Sequence, residues 1–379
     1  MRILQINASY KPAYIYGGPT MSVSALSEHL VKAKHDVLVL TTTANGEEEL
    51  SVKPNAAKVI DGVNVVYFDR ITKDHTHFSP KLLNAVRQQA STFNVIHIHA
   101  WWNLVSVLSC AIALSKGAKV VVSPRGTLSK YSFKHKSGLL KSVFHKTIGL
   151  NLLRRCAIHA TSASEQEELT DLINPKLIFN IPNFIQLPVF EQKAKAGDRD
   201  HTKLLFLSRI DEKKGLDILI NALALVNIPW SLSIAGDGDV RYIERVKKLA
   251  VAKKIDHHIS WLGFRQSDKF EIYRQHDLFI LPSHNENFGN VVLESLSVGT
   301  PVLISKHVGL AGYVKEHNLG WIFDLDETLL KNTIELAAKD VDKRLVIETD
   351  APALIASHFG DDALTQNYVD MYNQIDQND

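Results

Sequence analysis

Two glutamates, Glu286 and Glu294, are separated by seven residues in the stretch of this chain that is best suited to chemistry. Glu286 lies in a polar loop after the apolar run 277–282, and Glu294 lies within 291–298, whose apolar spacing predicts a helix. Residues 288–290 fall at the start of that helix, where unpaired N–H groups and the helix dipole favour an anion. One interpretation is a solvated loop before an amphipathic helix. The other is an anion-binding site at the start of the helix, beside the two carboxylates.

A second set of candidate residues follows the apolar run 203–207. Arg209 and Lys214 stand in a loop that ends at Gly215 and leads into an apolar helix. An arginine fork together with a lysine point charge supplies fixed positive charge for an anionic ligand without a metal. The alternative is a βα loop that carries basic residues on its surface.

The predicted elements place both sets of residues at the ends of strands. The run 277–282 predicts a buried strand, 291–298 a helix that ends at Gly299, and 301–305 the next strand, which together form a βαβ unit. Open α/β sheets bind ligands at the carboxyl ends of their strands. Further strands of this series are predicted at 203–207, 230–235 and 259–264.

The first half of the chain has its own alternation of strands and helices. The loop after its first strand contains Gly17 and Gly18, and paired glycines let a backbone approach a ligand, although an ordinary loop has the same composition. No Gly-x-Gly-x-x-Gly follows, which excludes a dinucleotide-binding fingerprint. The polar stretch 45–58 is expected to be irregular. Strands are predicted at 1–8, 37–40, 63–68, 94–99, 119–123 and 157–161.

His97 and His99 alternate in the predicted strand 94–99, so their side chains point to the same face of the sheet. Residues of this kind are usually core histidines with satisfied hydrogen bonds. A metal site is the less favoured interpretation, because no cysteine, third histidine or well-spaced carboxylate accompanies them.

Composition narrows the class of protein. The 379 residues are 45% hydrophobic and 22% charged with a net charge of +2, which suffices for about two domains and is too neutral for a nucleic-acid-binding protein. Cys110 and Cys156 alone do not make a disulfide scaffold, and they fit a reducing compartment. No apolar run reaches the length of a membrane span, so a cytoplasmic protein is expected.

Two final helices are expected, around 329–338 and 363–375.

The spacing of these residues resembles glycosyltransferase family 4, the retaining nucleotide-sugar glycosyltransferases with the GT-B fold. The similarity rests on Glu-x7-Glu with its internal Phe-Gly, on Gly-Thr-Pro-Val at 299–302, and on Arg-x4-Lys-Gly from Arg209. It implies an α/β protein of two Rossmann-like domains that face a cleft, with the C-terminal helix crossing back to the first domain. The expected boundaries are 1–185 with 360–379, a linker at 186–200, and 201–359.

The resemblance also implies an activity: transfer of a sugar, with retention, from a nucleotide-diphosphate sugar to a saccharide or lipid-linked saccharide acceptor in surface polysaccharide synthesis. The nucleotide sugar is a co-substrate, and neither a cofactor nor a metal is implied. Glu294 would accept hydrogen bonds from the ribose hydroxyls. The implied catalytic residues are Arg209, Lys214 and Glu286. The implied donor-binding residues are Gly17, Gly18, Arg209, Lys214, Gly263, Phe264, Glu286, Phe288, Gly289, Asn290 and Glu294. On the acceptor side they are His99, Trp101 and Arg125.

Arg125 departs from the family pattern, because many relatives carry a histidine at this position, close to the reacting sugar. The role of that histidine is therefore not transferred to this chain. Arg125 can pair with an anionic group of the donor or the acceptor, or it can cap carbonyls of its own loop.

The segment 130–155 is the most basic part of the chain and includes Lys134, Lys136 and Lys141. A basic amphipathic helix can lie on an anionic membrane surface, which would place the protein at the inner face of the membrane. The alternative is a domain helix with a solvated basic face.

Two other classes of function remain open at this point. A glycoside hydrolase would use Glu286 and Glu294 as acid and nucleophile, but it would leave Arg209 and Lys214 without a purpose. A non-catalytic protein would bind a nucleotide sugar without turning it over.

Overall fold

The computed structural model describes residues 1–129, 132, 138–185, 187, 201–265 and 267–378, without the side chains of 138–140. The chain forms two compact units. The first consists of Met1–Ile185 with Asp361–Asp379, and the second of Gln186–Gly360. The predicted linker 186–200 lies outside the described residues except for Leu187.

The first unit is built on an eight-stranded sheet in which every neighbouring pair is parallel except β5 and β6. The order is β10-β9-β8-β7-β1-β2-β6-β5, so the direction of strand succession reverses between β1 and β7. The strands are β1 Arg2–Ile6, β2 Asp36–Thr42, β5 Ala57–Ile60, β6 Val63–Phe68, β7 Val95–His99, β8 Val120–Ser123, β9 Ala157–Ala160 and β10 Ile178–Asn180, with a small hairpin of β3 Ala44–Asn45 and β4 Glu48–Glu49.

The expectation that 45–58 is irregular is wrong in part. Ala44–Asn45 pairs with Glu48–Glu49 in an antiparallel hairpin, and the end of the stretch enters β5, which pairs with β6 at the sheet edge. The hairpin strands have two residues each, and β5 has four residues that are mostly exposed. Elements this short are at or below the lower limit of the roughly four to eight residues over which a strand pattern can be recognised.

Helices cover both faces of the first sheet, and each face has its own hydrophobic core. They are α1 Gly18–Lys32, α2 Pro80–Gln89, α3 Leu104–Ser115, α4 Gly138–Phe144, α5 Leu150–Leu153 and α6 Ala163–Ile173. The C-terminal helix, Asp361–Gln377, packs in the same core as α1, with buried Tyr368, Met371 and Tyr372. The expected return of this helix to the first domain is confirmed.

The second unit is built on a six-stranded sheet in which all neighbouring pairs are parallel. Its order is β13-β12-β11-β14-β15-β16, so succession reverses between β11 and β14. The strands are β11 Thr202–Leu207, β12 Trp230–Ala235, β13 Ile259–Gly263, β14 Leu278–Leu281, β15 Val302–Ser305 and β16 Gly320–Phe323. Its helices are α7 Leu216–Leu223, α8 Val240–Ala252, α9 Lys269–Arg274, α10 Asn290–Ser297, α11 Ala311–Glu316, α12 Glu327–Lys339 and α13 Val341–Phe359.

The helix α13 was not predicted, although it is 19 residues long. It contains Pro352 in its interior, and its buried residues Ile347, Ala351, Ile355 and Phe359 recur only every fourth position. A stripe this narrow, interrupted by a proline, carries little of the apolar periodicity on which a helix prediction depends.

Gly215 lets the loop after β11 approach the end of β14. Its φ is +67°, and a Cβ built there would lie 2.1 Å from the backbone oxygen of Pro282. The backbone N–H of His284 donates to the carbonyl oxygen of Lys213 at 2.8 Å, which ties the two loops together. The glycine that follows Lys214 is therefore required by the close approach of the two loops.

We expect Gly215→Ala to destabilise the second unit more than Gly263→Ala does. Both glycines have φ +67°, but a Cβ at position 263 would meet nothing within 4 Å. Gly263→Ala should cost about 1 kcal/mol of unfolding free energy for its left-handed backbone. Gly215→Ala should cost about 2 to 5 kcal/mol, because a clash with backbone is added. Thermal unfolding followed by calorimetry measures both, and equal losses would contradict this account of the close approach.

Candidate functional site

Lys214 and Glu286 form an ion pair where strand succession reverses in the second sheet. Lys214 follows β11 and Glu286 follows β14, and their side chains are 12% and 21% exposed. The Glu286 backbone is fixed as well, since its N–H donates to the His307 carbonyl at 3.0 Å and its carbonyl accepts from Gly309 N–H at 2.8 Å. The structure thus brings together two of the three predicted catalytic residues.

The charges around Glu286 favour its ionised form. Burial is the largest single effect and opposes ionisation, but the charge and hydrogen bond of Lys214 together with the charges of Lys213 and Arg209 lower the pKa of Glu286 below its usual value. Burial also lowers the pKa of Lys213, while Glu286 opposes this shift. The prediction did not include Lys213. Two consecutive lysines before Gly215 were the signal in the sequence that could have identified it.

Arg209, the third predicted catalytic residue, lies at the edge of this group. Its side chain is 67% exposed, and its Nε donates to Asp211 Oδ2 at 2.7 Å. Its positive charge is near enough to lower the pKa of Glu286 slightly, but its ion pair is with Asp211 rather than with Glu286. Its guanidinium is therefore accessible at the rim of the site.

The start of α10 lies directly beyond Glu286. The N-cap residue of α10 is Gly289, at φ +95°. It has no side chain that could accept a hydrogen bond from the first N–H groups of the helix, which begins at Asn290. The Phe288 side chain is buried and packs edge to face on Phe359, which leaves its backbone as the part that can face a ligand. An uncapped helix start beside basic residues favours an anion.

Glu294 lies on α10 and is paired with a lysine that the sequence analysis did not single out. Lys269 Nζ lies 2.9 Å from Glu294 Oε1, and both side chains are 12% exposed. The Tyr273 hydroxyl donates to Glu294 Oε2 at 3.5 Å. Burial, together with Glu294, raises the pKa of Tyr273 well above its usual value, so the phenol keeps its proton.

Gly263 and Phe264 lie at the carboxyl end of β13, the edge strand of the second sheet. Phe264 is 69% exposed, which is unusual for a ring of this size. The carbonyl of Gly263 accepts from Gly236 N–H at 2.8 Å, which fixes the backbone at this point. An accessible ring on a fixed backbone can stack on a planar ligand.

In the first unit, the predicted glycines begin helix α1 in the loop after β1. Gly17 is its N-cap at φ +63°, and its N–H donates to the Tyr14 carbonyl at 2.9 Å. Gly18 is the first residue of the helix. A Cβ at Gly17 would meet nothing within 4 Å, so space remains beside the backbone there.

The acceptor-side candidates lie in or against the core of the first unit. Trp101 is fully buried in the hydrophobic core and presents no surface to a ligand, which corrects the expectation for this residue. His99 is also fully buried, and its Nε2 lies 2.6 Å from Gln5 Oε1. Arg125 donates from Nε to His99 Nδ1 at 3.3 Å and from Nη1 to Ser22 Oγ at 2.9 Å.

Three buried histidines of the first unit, His97, His99 and His159, belong to one continuous polar chain. It runs from Arg125 through His99, Gln5, Tyr372, His97 and Ser123 to His159, whose Nε2 lies 2.8 Å from the Ile181 carbonyl. Burial lowers the pKa values of His97, His99 and His159, and the positive charge of Arg125 lowers each of them further. The interpretation of His97 and His99 as core histidines with satisfied hydrogen bonds is therefore confirmed.

The structure gives only part of the basic segment 130–155. Lys134 and Lys136 lie outside the described residues, and the helical part is divided into α4, a π turn at His145–Gly149, and α5. Lys141 Nζ lies 5.6 Å from the centroid of the Trp102 ring. No helix within the described ranges is long and apolar enough to cross a bilayer.

Comparison with known proteins identifies the family. The model of "Glycosyltransferase Family 4" matches residues 16–187, and the model of "Glycosyl transferases group 1" matches residues 189–352. A glycosyltransferase of Methanocaldococcus jannaschii is 25% identical over 98% of both chains. Glycogen synthase of Mycobacterium tuberculosis is 27% identical, with 82% of this chain and 79% of that protein covered.

Solved structures show the same architecture. Sucrose-phosphate synthase from Thermosynechococcus elongatus superposes with a TM-score of 0.78 at 18% identity, and 99% of each chain is covered. Anabaena HepE in complex with UDP and glucose superposes with a TM-score of 0.74 at 20% identity, covering 99% of this chain and 100% of that one. The solved structures show that the fold is GT-B. Because glycosyltransferase models match both halves of its length, the chain belongs to glycosyltransferase family 4.

Proposed function

We propose that this glycosyltransferase moves a sugar, with retention and without a metal, from a nucleotide-diphosphate sugar to a saccharide or lipid-linked saccharide in surface polysaccharide synthesis. The observation that carries the proposal is the Lys214–Glu286 pair beside the uncapped start of α10, where strand succession reverses. Ligands of open α/β sheets bind at such a point. Relatives include glycogen synthase and a lipopolysaccharide core biosynthesis glycosyltransferase, which supports a saccharide acceptor.

The donor is placed by matching its parts to the chemistry of the second unit. Its diphosphate lies against Lys214, Arg209 and the amides of residues 288–290, which together supply fixed positive charge. Its ribose lies against Glu294. Its base lies beside Gly263 and Phe264, where an exposed ring is available for stacking.

The proposed reaction balances without a separate protein base. The bond between the anomeric carbon and the diphosphate oxygen breaks, and a bond from the acceptor oxygen forms on the same face of the sugar. The acceptor's proton passes to the leaving phosphate. Lys214 and Arg209 stabilise the charge that develops on that phosphate. Glu286, kept ionised by its basic neighbours, accepts hydrogen bonds from the donor sugar and positions it.

Each of the two glutamates forms an ion pair with a lysine, which argues against the glycoside hydrolase mechanism. That mechanism needs one carboxyl group whose pKa is raised so that it can act as an acid at neutral pH. Glu286 has a lowered pKa and is paired with Lys214, while Glu294 is paired with Lys269. The environment of Glu286 therefore favours the ionised form, and the carboxylate of Glu294 is already engaged in an ion pair.

The acceptor is proposed to meet the first unit near the loop that contains Gly17 and Gly18 and near Arg125. His99 supports Arg125 from below rather than reaching a ligand itself, since it is fully buried. The basic segment 130–155 would hold the protein on the anionic inner face of the membrane, where a lipid-linked acceptor is found.

Arg209→Ala and Lys214→Ala should each lower turnover by about a hundredfold or more, because each removes a charge aimed at the leaving group. Steady-state kinetics with the nucleotide sugar that wild type turns over measures this. Arg245→Ala is the matched control, since Arg245 forms an ion pair with Glu212 on the surface. Unchanged turnover in both site variants would remove the basis for their assignment.

Activity should survive a chelator, because two basic side chains and a helix start supply the charge that a divalent ion would otherwise provide. The measurement is the initial rate in excess EDTA, compared with the rate after dialysis alone. Complete loss of activity that magnesium or manganese restores would show that Arg209 and Lys214 do not suffice.

Binding to anionic vesicles at low salt should be lost when Lys134, Lys136 and Lys141 are changed to Glu. Each basic residue near an anionic surface contributes about 1 kcal/mol, and salt screens this attraction. The control changes the exposed Lys248, Lys253 and Lys254 to Glu, which alters net charge equally in the second unit. Equal sedimentation of wild type and the first triple variant would leave the solvated basic face as the better interpretation.

A further inference from the structure

The Lys269–Glu294 pair combines two kinds of hydrogen-bonding group at one place. Lys269 begins α9, Glu294 lies in the second turn of α10, and their side chains meet at 2.9 Å with 12% of each exposed. The backbone positions are 25 residues apart in sequence. A partly buried ammonium and carboxylate must satisfy their remaining hydrogen-bonding capacity, or desolvation costs stability.

Both members of the pair have capacity left for a ligand. An ammonium has three N–H donors, and Glu294 Oε1 takes one of those of Lys269. A carboxylate can accept about four hydrogen bonds. The Glu294 carboxylate accepts from Lys269 and from the more distant Tyr273 hydroxyl at 3.5 Å. Donor and acceptor thus stand side by side, which suits a vicinal diol in which one hydroxyl donates and the other accepts.

The position of the pair fits the ribose of a nucleotide. Glu294 lies four residues after Asn290, about 6 Å along the axis of α10 from the proposed diphosphate site. Lys269 follows Phe264, at the proposed base site, by five residues, and it opens the helix that packs on α10. A nucleotide that extends from base to diphosphate carries its ribose between these two points.

We propose that Lys269 is a binding and specificity residue for the donor: its ammonium donates to one hydroxyl of the ribose 2′,3′-diol while Glu294 accepts from the other. This inference rests on the proposed function, because it takes the second unit as the nucleotide-sugar site. It adds to that function a contact from Lys269 and a requirement for an intact ribose diol. Tyr273 keeps the carboxylate in place from its buried side.

A lysine that only supports packing would behave differently. Replacing such a lysine would weaken the binding of all nucleotides equally, or it would change stability alone. A lysine that contacts a hydroxyl loses its effect when that hydroxyl is absent from the ligand. Comparing ribonucleotides with their deoxy analogues therefore separates the two roles.

The experiment measures binding of UDP, GDP and ADP to the full chain by calorimetry, and then of the 2′-deoxy and 3′-deoxy forms of the tightest one. Wild type should bind at least one deoxy form about tenfold to a hundredfold more weakly, as expected for a hydrogen bond to a charged group. Lys269→Met should bind the ribonucleotide more weakly by a similar factor. For one of the two deoxy forms, Lys269→Met and wild type should bind within about threefold of each other.

Lys331→Met is the matched control. Lys331 Nζ lies 2.8 Å from Glu335 Oε2 on α12, and these side chains are 19% and 17% exposed, so a comparable pair is broken away from the site. It should bind all the ligands as wild type does. Lys269→Arg, which keeps a charged donor, should retain most of the discrimination between ribo and deoxy forms.

Three results would overturn the role of Lys269 while leaving the nucleotide site in place. They are full ribonucleotide affinity in Lys269→Met, an equal loss for the ribo and both deoxy forms, and absence of discrimination by wild type itself. The last does not depend on any variant being folded. If wild type binds none of the three diphosphates, the proposed function fails instead.

Discussion

The contact between Lys214 and Glu286 is the interaction on which the arrangement of the second unit's site depends. The two residues are 72 positions apart in the chain, and they lie in the loops that follow β11 and β14, which are neighbours in the sheet. Gly215 allows the loops to meet, and the His284–Lys213 backbone hydrogen bond fixes their separation. The helix start at Gly289 then follows within three residues of Glu286. Fixed charge at a fixed helix end is thus a property of the fold itself.

The two units use buried polar groups in different ways. In the second unit, lysine and glutamate pair in charged form near the surface, at Lys214–Glu286 and Lys269–Glu294. In the first unit, the chain of groups from Arg125 to His159 is buried, and its histidines are held neutral. Charged pairs at a rim attract an ionic ligand. A neutral chain in a core instead fixes the orientation of the groups that it connects.

The sequence predicts the central strands of both sheets well, because they are short apolar runs that end at glycine, proline or a polar loop, whereas it misses the short strands at 44–60. Residues 63–68 and 230–235 are predicted with the bounds that the structure has. Contacts between distant segments carry no such signature. Nothing in the spacing of Lys269 and Glu294 shows that they meet, and Trp101 gives no sign that it belongs to the core. The functional roles of Arg209, Lys214 and Glu286 were predicted through resemblance, whereas the ion pair between Lys214 and Glu286 is seen only in the structure.

The C-terminal helix has a consequence for how the protein is made. The second unit, Gln186–Gly360, is continuous in the chain, whereas the first unit receives Leu364, Tyr368, Met371, Tyr372 and Ile375 from the last helix. During synthesis from the N-terminus, the ribosome completes the second unit before it completes the first. The core of the first unit, and with it the hydrogen bonds of Tyr372 to Gln5 and His97, cannot close until this helix has been synthesised. Domains of most chains fold in the order of their synthesis, and here that order is reversed for the final packing step.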